Sequence, residues 1–440
     1  MPAISMKYFL PDAQDLVDPS FDFGRETRSP DRIRQRDDRY AHEVFEKPPY
    51  NGILVSKGIV EGTGGSSGRY PQSQRLRLLR EGVQEFFRVN EIPRWKPEFM
   101  GDCGAFSYVK ESKPPYTVDE VIEFYEGCNF DFGISVDHVI LDYKPGWDVK
   151  MFGKDGVPKP TKHRQELTLE LARDFYKRTR SSKLHFTPVG VAQGWSPNSY
   201  AYAVRQLQRI GYDYIALGGV VPLKTDDVLR VMQKVDDVRL TSTKLHMLGV
   251  TRIAEVRRFS RFGVSSFDST SPLRQAFKDD KDNYYTSDDA YTAIRIPQVQ
   301  GNAKFQKRIR SGEVDQRVAR GSEQRCLRYM EEFDRGKRKA SSVLKALTEY
   351  GKLYDPKKDR TEAYRRTLDA APWKHCPCEV CSALGHHVIL FRGAERNRRR
   401  GFHNVWVFYR RLQRGLGRRR RKLVLVPEIS VAAEQQQAFV

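Results

Sequence analysis

Residues 184–217 of the chain read LHFTPVGVAQGWSPNSYAYAVRQLQRIGYDYIAL. Two short apolar runs, at 184–192 and 212–217, enclose an amphipathic segment at 199–210 whose apolar residues recur at helical spacing. A strand, a helix and a second strand in such close succession indicate a parallel β/α unit, because parallel neighbours need a crossover connection.

The same alternation of strand and helix extends over residues 52–275. The apolar runs are 53–55, 97–102, 132–139, 184–192, 212–217, 244–250 and 265–268, and the helical patterns between them are 72–89, 117–127, 163–180, 199–210, 225–234 and 253–261. Both a closed barrel and an open doubly wound sheet fit this order. No G-x-G-x-x-G motif follows the first run, and the polar residues lie at the ends of several runs. The sequence therefore predicts an α/β fold with a (β/α)8 TIM-type barrel.

Four segments are predicted along the chain. Residues 1–50 are charged and aperiodic and are expected to form an N-terminal arm or lid, and residues 51–275 form the main part of the barrel. Residues 276–372 are strongly charged, carry one long helical pattern at 323–350, and are expected to be a helical insertion. Residues 373–440 are expected to form a C-terminal subdomain with the last barrel element and a basic tail.

The 440 residues carry 77 Lys and Arg against 56 Asp and Glu, a net charge of +21. Such an excess favours a polyanionic partner, a nucleic acid before a membrane surface. Thirteen basic residues and one acidic residue lie between Arg392 and Lys422, interleaved with aromatic residues. This pattern suits a phosphate backbone with unstacked bases, although a solvated helix face is the alternative. The residues expected to contact nucleic acid here are Arg398, Arg399, Arg400, Arg418, Arg419 and Arg420.

Several classes of protein are excluded by composition. Hydrophobic residues at 39% are too many for a disordered chain, and no run approaches the roughly 18 apolar residues of a membrane span. The N-terminus reaches acidic residues and proline too early for a signal peptide, and six cysteines suit a reducing compartment. We therefore expect a soluble cytoplasmic protein.

A metal site is predicted from Cys376-Pro-Cys378-Glu-Val-Cys381, which places three thiols within six residues. A fourth ligand could come from His386, His387 or His403. Cys₃His sets are typical of structural Zn²⁺, and a closed site of this kind leaves no position open for catalysis.

Three aspartates follow apolar runs: Asp102, Asp137 and Asp268. Each alone could be a helix N-cap, but at the ends of strands of one barrel they would converge on one face. A pair of carboxylates there can supply a nucleophile and a general acid/base at a glycosidic carbon. Gln193 and the bare backbone of Gly218-Gly219 add groups able to bind a purine-like edge.

Together these motifs resemble the tRNA-guanine transglycosylase superfamily, from about Gly101 to Asn404. The segment Asp102-Cys-Gly-Ala-Phe106 resembles D-S-G-G-F, and Phe267-Asp-Ser-Thr-Ser-Pro-Leu-Arg274 resembles F-D-C-V-x-P-T-R. Leu248-Gly-Val resembles M-G-V, and the cysteine motif followed by His403-Asn404 resembles C-x-C-x-x-C…H-N. The resemblance implies that His403 is the fourth zinc ligand.

The resemblance also implies a reaction and roles for residues. Asp268 would attack C1′ of a guanosine-type nucleotide and release guanine, and Asp102 would be the general acid/base for base exchange. Arg274 matches the arginine of the nucleophile motif and is expected to contact nucleic acid. The residues expected to bind the base are Phe106, Asp137, Gln193, Gly218, Gly219 and Leu248.

Departures from the family pattern indicate the substrate. Ser107 replaces the usual Gln, and Lys224 stands where bacterial tRNA enzymes have a glutamate suited to a cationic aminomethyl group, so a neutral 7-cyano-7-deazaguanine (preQ0) is favoured. The 107 residues between Asp268 and Cys376 are more than the compact tRNA enzymes have. Both features favour the DpdA-type branch, which resembles the tRNA enzymes but inserts 7-deazaguanine bases into DNA.

Two alternatives to a DNA-guanine transglycosylase stay open at this point. One is a tRNA-guanine transglycosylase with an unusual insertion, and the other is a non-catalytic, zinc-containing nucleic-acid-binding protein. The chain has no G-x-x-x-x-G-K-[ST] motif, so a separate ATPase partner is expected to help open duplex DNA. The resemblance further implies a homodimer formed through the zinc region.

Overall fold

A computed structural model describes residues 6–63, 66–148, 156–250 and 252–417. The described residues divide into two compact units. The first unit holds residues 6–14, the described part of 50–270, and residues 412–417; the second holds residues 15–49 and 271–411. Each unit is described by itself below.

Eight parallel strands of the described residues close into a barrel in the first unit. In chain order these strands are β1 Lys7–Pro11, β2 Gly52–Ser56, β3 Glu98–Asp102, β4 Phe132–Ile134, β5 Thr187–Ala192, β6 Tyr214–Leu217, β7 Lys244–Met247 and β8 Val264–Asp268. Each strand pairs with its neighbours in sequence, and β1 closes the ring against β8. This topology confirms the predicted (β/α)8 barrel.

The helices of the first unit connect these strands. They are Lys57–Glu61, Gln72–Phe86, Val118–Gly127, Lys159–Ser181, Pro197–Ile210, Thr225–Asp236 and Val256–Arg261, with 3₁₀ turns at Val89–Glu91, Ala105–Tyr108, Pro145–Asp148 and Ile253–Glu255 and a small ladder between Gly62–Thr63 and Ser66–Ser67. Local sequence explains the start of the helix Pro197–Ile210: the Ser196 hydroxyl accepts a hydrogen bond from the Ser199 backbone amide, and Pro197 occupies the first helical position.

Apolar side chains from alternate strand positions fill the barrel interior. The buried cluster consists of Phe9, Leu54, Met100, Ile134, Val189, Val191, Tyr214 and Ala216, with Phe132 and Leu248 packed against it. Because successive side chains of a strand point to opposite faces, polar residues in register with this cluster also face inward.

The strand β1 lies within the segment predicted as an N-terminal arm. Tyr8 pairs with Phe267 of β8, and Phe9 pairs with Gly52 of β2. The closing strand of the barrel is therefore supplied by residues 7–11, whereas the last barrel element was expected within residues 373–440. The apolar run Tyr8-Phe9-Leu10 is as short as the run at 53–55, but no helical pattern follows it in the charged residues up to 50, so the alternation of strand and helix that indicated the other strands is missing there.

The second unit contains the predicted charged insertion and the cysteine motif. Its helices are Ala41–Val44, Ser271–Gln275, Ala303–Arg310, Gln316–Asp334, Ala340–Tyr354, Thr361–Ala370 and Glu379–Leu384, with 3₁₀ turns at Pro372–His375 and Gly385–Ile389. Asp282–Tyr285 pairs with Ala290–Thr292, and Ile294–Arg295 pairs with Leu390–Phe391. The single long helix expected at 323–350 is instead two helices, because the chain turns at residues 335–339.

The helix Gly393–Gly417 carries the described part of the basic segment, and its residues up to Arg411 belong to the second unit. None of the helices in the described ranges combines the length and the apolar character needed to cross a membrane.

Candidate active site and metal centre

The carboxylate of Asp268 lies at the end of β8 and is only 8% exposed. Its Oδ1 accepts a hydrogen bond from the Gly249 backbone amide at 2.9 Å and lies 3.2 Å from His246 Nε2. Gly249 has φ +73°, a left-handed conformation that favours glycine, and this conformation accompanies the approach of its amide to the carboxylate. Both of these contacts are made to Oδ1, so neither of them occupies Oδ2, which could contact a substrate.

The carboxyl of Asp102 lies at the end of β3 and is partly exposed. Its pKa is raised to about 7, first because the surrounding protein desolvates the carboxyl and second because of the negative charges of Asp137 and Asp268. The Gly104 backbone amide donates to its Oδ2 at 3.0 Å and partly opposes the rise in pKa. A carboxyl with a pKa near neutrality can both donate and accept a proton under physiological conditions.

Asp137 is 2% exposed and lies in the segment after β4. Its pKa is raised to about 6 because burial outweighs two hydrogen-bond donors that lower it, the Cys103 thiol at 3.2 Å and the Gln193 amide at 2.6 Å. Asp102 and Asp268 are the last residues of β3 and β8, and Asp137 follows β4, so all three lie at the carboxyl-terminal end of the parallel barrel.

Both polar atoms of the Gln193 side-chain amide form hydrogen bonds within the protein. Its nitrogen donates to Asp137, and its oxygen accepts from the Ile140 backbone amide at 3.1 Å. A Cβ on Gly218 would lie 2.2 Å from the Gln193 nitrogen, so the absence of a side chain there is required. Gln193, for which Gly218 leaves room, therefore positions Asp137. Gly219 lies next to them, because a Cβ on this residue would be 2.9 Å from the Gln193 oxygen.

The two predicted walls for a base differ in exposure. Phe106 lies on the 3₁₀ turn Ala105–Tyr108 and is 44% exposed, which is unusual for phenylalanine. Leu248 follows β7, donates its backbone amide to Leu217 and packs against the barrel core. An exposed ring and a partly buried aliphatic side chain can hold the faces of an unstacked base.

Three site residues escaped the sequence analysis: His246, Ser266 and Tyr214, which connect to Asp268 by hydrogen bonds inside the barrel. The sequence contained an indication of two of them. His246 lies two positions before Leu248, and Ser266 lies two positions before Asp268, so each shares a strand face with a predicted site residue.

The second unit brings together the four residues predicted to bind a metal: Cys376, Cys378, Cys381 and His403. Their ligand atoms all lie within 4.8 Å of one another, and His403 Nδ1 is 3.6, 3.4 and 3.3 Å from the three sulfurs in that order. This cluster could bind a metal ion, and it assigns the fourth position to His403.

The surroundings of His403 fit a role as a metal ligand. Its Nε2 donates to the Tyr285 carbonyl at 2.7 Å, so Nδ1 is left as the acceptor that faces the sulfurs. The Tyr284 ring stacks on the imidazole at 4.1 Å. The other two candidates are used elsewhere: His386 contacts Asp334, and His387 stacks on Phe23.

The described arginines of the basic segment correct a prediction about nucleic-acid contacts. Arg400 is completely buried and donates to the carbonyls of Val388, Leu390 and Ala276; burial lowers its pKa to about 9. Arg399 is 9% exposed and pairs with Glu395 at 2.6 Å. Neither side chain can reach a phosphate, because both are enclosed by the protein.

The other arginines that were expected to contact nucleic acid fall into two groups. Arg398 keeps 28% of its side chain exposed, and Arg274 pairs with Asp15 at 2.7 Å. Arg418, Arg419 and Arg420 lie outside the described residues.

Known proteins that are similar to this chain indicate its class. The chain is similar to a DNA-guanine transglycosylase of Salmonella montevideo, with 47% identity over 93% of this chain and 97% of that protein. It is also similar to a queuine tRNA-ribosyltransferase of Marinobacter nauticus, with 21% identity over 46% of this chain and 56% of that protein. No protein-family model matches the chain.

Barrel, carboxylates and relatives together define the class: the protein is a pentosyltransferase of the transglycosylase type. The identity and coverage of the first relative are high enough to go further, and the chain belongs to the family of DNA-guanine transglycosylases.

Proposed function

We propose that the protein exchanges guanine in DNA for a 7-deazaguanine base, 7-cyano-7-deazaguanine, through a covalent aspartyl-glycosyl intermediate. The observation that carries this proposal is that two carboxyls with different environments lie at the same end of the barrel. Asp268 is held through one oxygen by hydrogen-bond donors, whereas Asp102 has a pKa raised to about 7. Such a difference assigns a nucleophile and a general acid/base.

In the first half-reaction, Asp268 Oδ2 attacks C1′ of the target nucleotide and the C1′–N9 bond breaks. The electron pair of that bond goes to guanine, and the proton of Asp102 neutralises the leaving base. In the second half-reaction, the incoming base gives its ring N–H proton to Asp102, and its nitrogen attacks C1′. The bond from C1′ to Asp268 then breaks, and both carboxyls return to their starting states.

The base-binding residues supply recognition. Asp137 is fixed by Cys103 and Gln193, so its carboxyl can face the polar edge of a guanine-type base without rotating. Phe106 and Leu248 would hold the faces of the flipped base. Lys224 is exposed directly before the helix Thr225–Asp236, and a positive charge there disfavours an aminomethyl-bearing base, which supports the cyano base.

The metal centre is proposed to hold structural Zn²⁺. Three thiolates and one imidazole are the donor set that zinc prefers, and the cluster, in which only Cys376 is half-buried and the other three residues are buried, has the matching composition. Bound zinc would crosslink the cysteine segment to the helix Gly393–Gly417, and no step of the exchange passes through it.

The function is tested with labelled 7-cyano-7-deazaguanine offered with duplex DNA or with tRNA. We expect the label to enter DNA and not tRNA, and to stay out of both when Asp268 is replaced by alanine. Label that enters only tRNA would overturn the DNA assignment in favour of tRNA modification. Binding of DNA without exchange on either polymer would favour a non-catalytic role.

Partner proteins are a separate part of the proposal. Flipping a base out of duplex DNA costs a few kcal/mol, and we propose that an ATPase partner supplies this opening. Exchange by the isolated chain on relaxed duplex DNA without ATP would remove the need for it. Homodimer formation through the zinc region is proposed on the resemblance alone and is measured by the molecular mass in solution.

Guanine release is expected to depend on the protonation of Asp102. Because its pKa is raised to about 7, Asp102 is protonated and able to act as the acid below this pH. The single-turnover rate of guanine release should therefore fall as the pH rises above 7, by up to about tenfold per pH unit. Rapid-quench measurements between pH 5.5 and 9 check this expectation.

Asp102→Asn is the control for this pH dependence. The variant should be slow and should lack the decline above pH 7. A raised native pKa also means that stability falls as the pH rises from about 4 to 7, so the variant should gain thermal stability over wild type at pH 8 but not at pH 4. A wild-type rate that instead increases through pH 7 would contradict the role of Asp102 as acid.

A further inference from the structure

We propose that His246 is a positioning residue for the nucleophile, acting through a buried chain of hydrogen bonds that joins Tyr214, Ser266 and His246 to Asp268. This inference rests on the proposed role of Asp268. The chain fixes one carboxylate oxygen and thereby aims the other at C1′.

The three supporting side chains are polar groups inside an apolar barrel. His246 and Ser266 are completely buried, and Tyr214 is 6% exposed. The ring of Phe9 packs edge-on to His246, and the ring of Phe132 packs edge-on to Tyr214. Burying a polar group in such surroundings is unfavourable unless it is hydrogen-bonded, and each of these three is.

The distances define a continuous chain. His246 Nε2 lies 3.2 Å from Asp268 Oδ1, and His246 Nδ1 lies 2.6 Å from Ser266 Oγ. Ser266 Oγ in turn lies 2.5 Å from the hydroxyl of Tyr214. The barrel cluster that includes Tyr214 therefore connects to the reactive carboxylate.

With Asp268 ionised and the imidazole neutral, one direction of donation satisfies every group. A carboxylate can only accept, so His246 Nε2 donates to it and Nδ1 must accept in the neutral ring. Ser266 then donates to Nδ1, and its oxygen accepts from the hydroxyl of Tyr214. The hydrogen bonds from Ser266 and Tyr214 thus stabilise the tautomer that the nucleophile requires.

The backbone places these groups in line. Ser266 pairs with His246 across β7 and β8, after a register shift between Val264 and Ser266. An irregularity of this kind changes which side chains of a strand face inward. Beyond it, Ser266 and Asp268 share one strand face, and so do His246 and Leu248, so a single strand carries both the support of the nucleophile and a wall of the base pocket.

The chemical consequence is orientation of the attacking oxygen. With Gly249 and His246 both donating to Oδ1, rotation of the carboxylate would break two hydrogen bonds. In the second half-reaction the same donors stabilise the carboxylate as it leaves C1′. Loss of the histidine donor should therefore slow the chemical steps and leave DNA affinity unchanged.

Two amide substitutions at one position separate positioning from packing. The glutamine in His246→Gln can place its nitrogen where Nε2 lies and can donate to Asp268. The asparagine in His246→Asn reaches only the place of Nδ1, so it can keep Ser266 as partner but not Asp268. The readouts are the single-turnover rate of guanine release from DNA, the dissociation constant for the same DNA, and the thermal midpoint of unfolding.

We expect H246N to be slower than wild type by about 100-fold and H246Q by about tenfold or less, with DNA dissociation constants within about threefold of wild type. Tyr214→Phe, which removes only the outermost hydroxyl, should slow release about fivefold. Tyr212→Phe is the matched control: this buried tyrosine donates to the Ala172 carbonyl outside the chain of hydrogen bonds, and its loss should leave the rate unchanged.

Failure of this inference is distinguishable from failure of the proposed function. If Asp268→Asn is inactive while H246N releases guanine at the wild-type rate, the positioning role is wrong and the nucleophile stands. If Asp268→Asn keeps the wild-type rate, the proposed function is wrong. If H246Q and H246N release guanine equally slowly, and their rates fall in proportion to their thermal midpoints, the histidine has a packing role and the inference is overturned. If H246N does not fold, a wild-type rate in Tyr214→Phe overturns it.

Discussion

Replacing Asp268 by asparagine is expected to lower the rate of base exchange by at least about 10⁴-fold. An amide oxygen carries no charge and is a far weaker nucleophile than a carboxylate, so the covalent intermediate cannot form. The substitution conserves shape, and its oxygen can still accept from Gly249 and His246, so the site geometry should persist. Incorporation of a labelled base measures exchange, and a denaturing gel detects the protein–DNA adduct that only the wild type should form.

The control is the same substitution at an aspartate that lies away from the barrel mouth. Asp174 pairs with Arg178 on the exposed face of the helix Lys159–Ser181, and Asp174→Asn should leave exchange unchanged. DNA affinity should be similar in both variants, because neither change adds or removes a phosphate contact in the proposed complex. Exchange by Asp268→Asn at more than about a tenth of the wild-type rate would contradict the covalent mechanism.

Much of the barrel was predictable because its strands are separate apolar runs. Seven strands followed from runs that alternate with helical patterns, and Asp102 and Asp268 could be placed at strand ends by inspection. The eighth strand, Lys7–Pro11, was missed because it lies in a charged segment where no helical pattern follows it. Its identity as a strand depends on pairing with β2 and β8, which are distant in sequence.

The candidate site was predictable in its chemistry but not in its contacts. Sequence identified Gln193 as a binding residue, yet its amide is engaged by Asp137 and Ile140, a pairing that depends on how neighbouring strand ends come together. The role of His246 was hidden for the same reason. A register shift in β8 decides that Ser266 lies beside His246, and no local pattern reveals such a shift.

The basic segment between Arg392 and Lys422 shows why charge density alone could not predict which arginines contact nucleic acid. Arg392 and Arg396 bind Glu26, and Arg399 binds Glu395, so acidic partners neutralise these arginines inside the second unit. Glu26 lies more than 360 residues away along the chain, and composition within the segment could not reveal it. Desolvation offsets much of the attraction within buried pairs of this kind, so their presence is weak evidence of added stability.

The second large effect is expected at the metal centre, where Cys378→Ser should eliminate the zinc that we propose to be bound there. A serine hydroxyl is a poor zinc ligand, and three remaining ligands cannot close a tetrahedral site. Because structural metal binding contributes directly to folding free energy, the thermal midpoint of unfolding should fall by about 10 °C or more. Metal content per chain by mass spectrometry and differential scanning calorimetry measure the two effects.

Cys326→Ser is the matched control, because Cys326 is also a buried cysteine of the second unit but lies outside the metal cluster. It should keep one zinc per chain and lose little stability. Adding a chelator to the wild type should lower its midpoint toward that of Cys378→Ser and leave the midpoint of Cys378→Ser itself unchanged, since that variant has no metal to lose. Full zinc occupancy in Cys378→Ser would refute the ligand assignment, whereas loss of zinc without loss of stability would mean that the hydrogen bonds of His403 and Asn404 hold the segment together without metal.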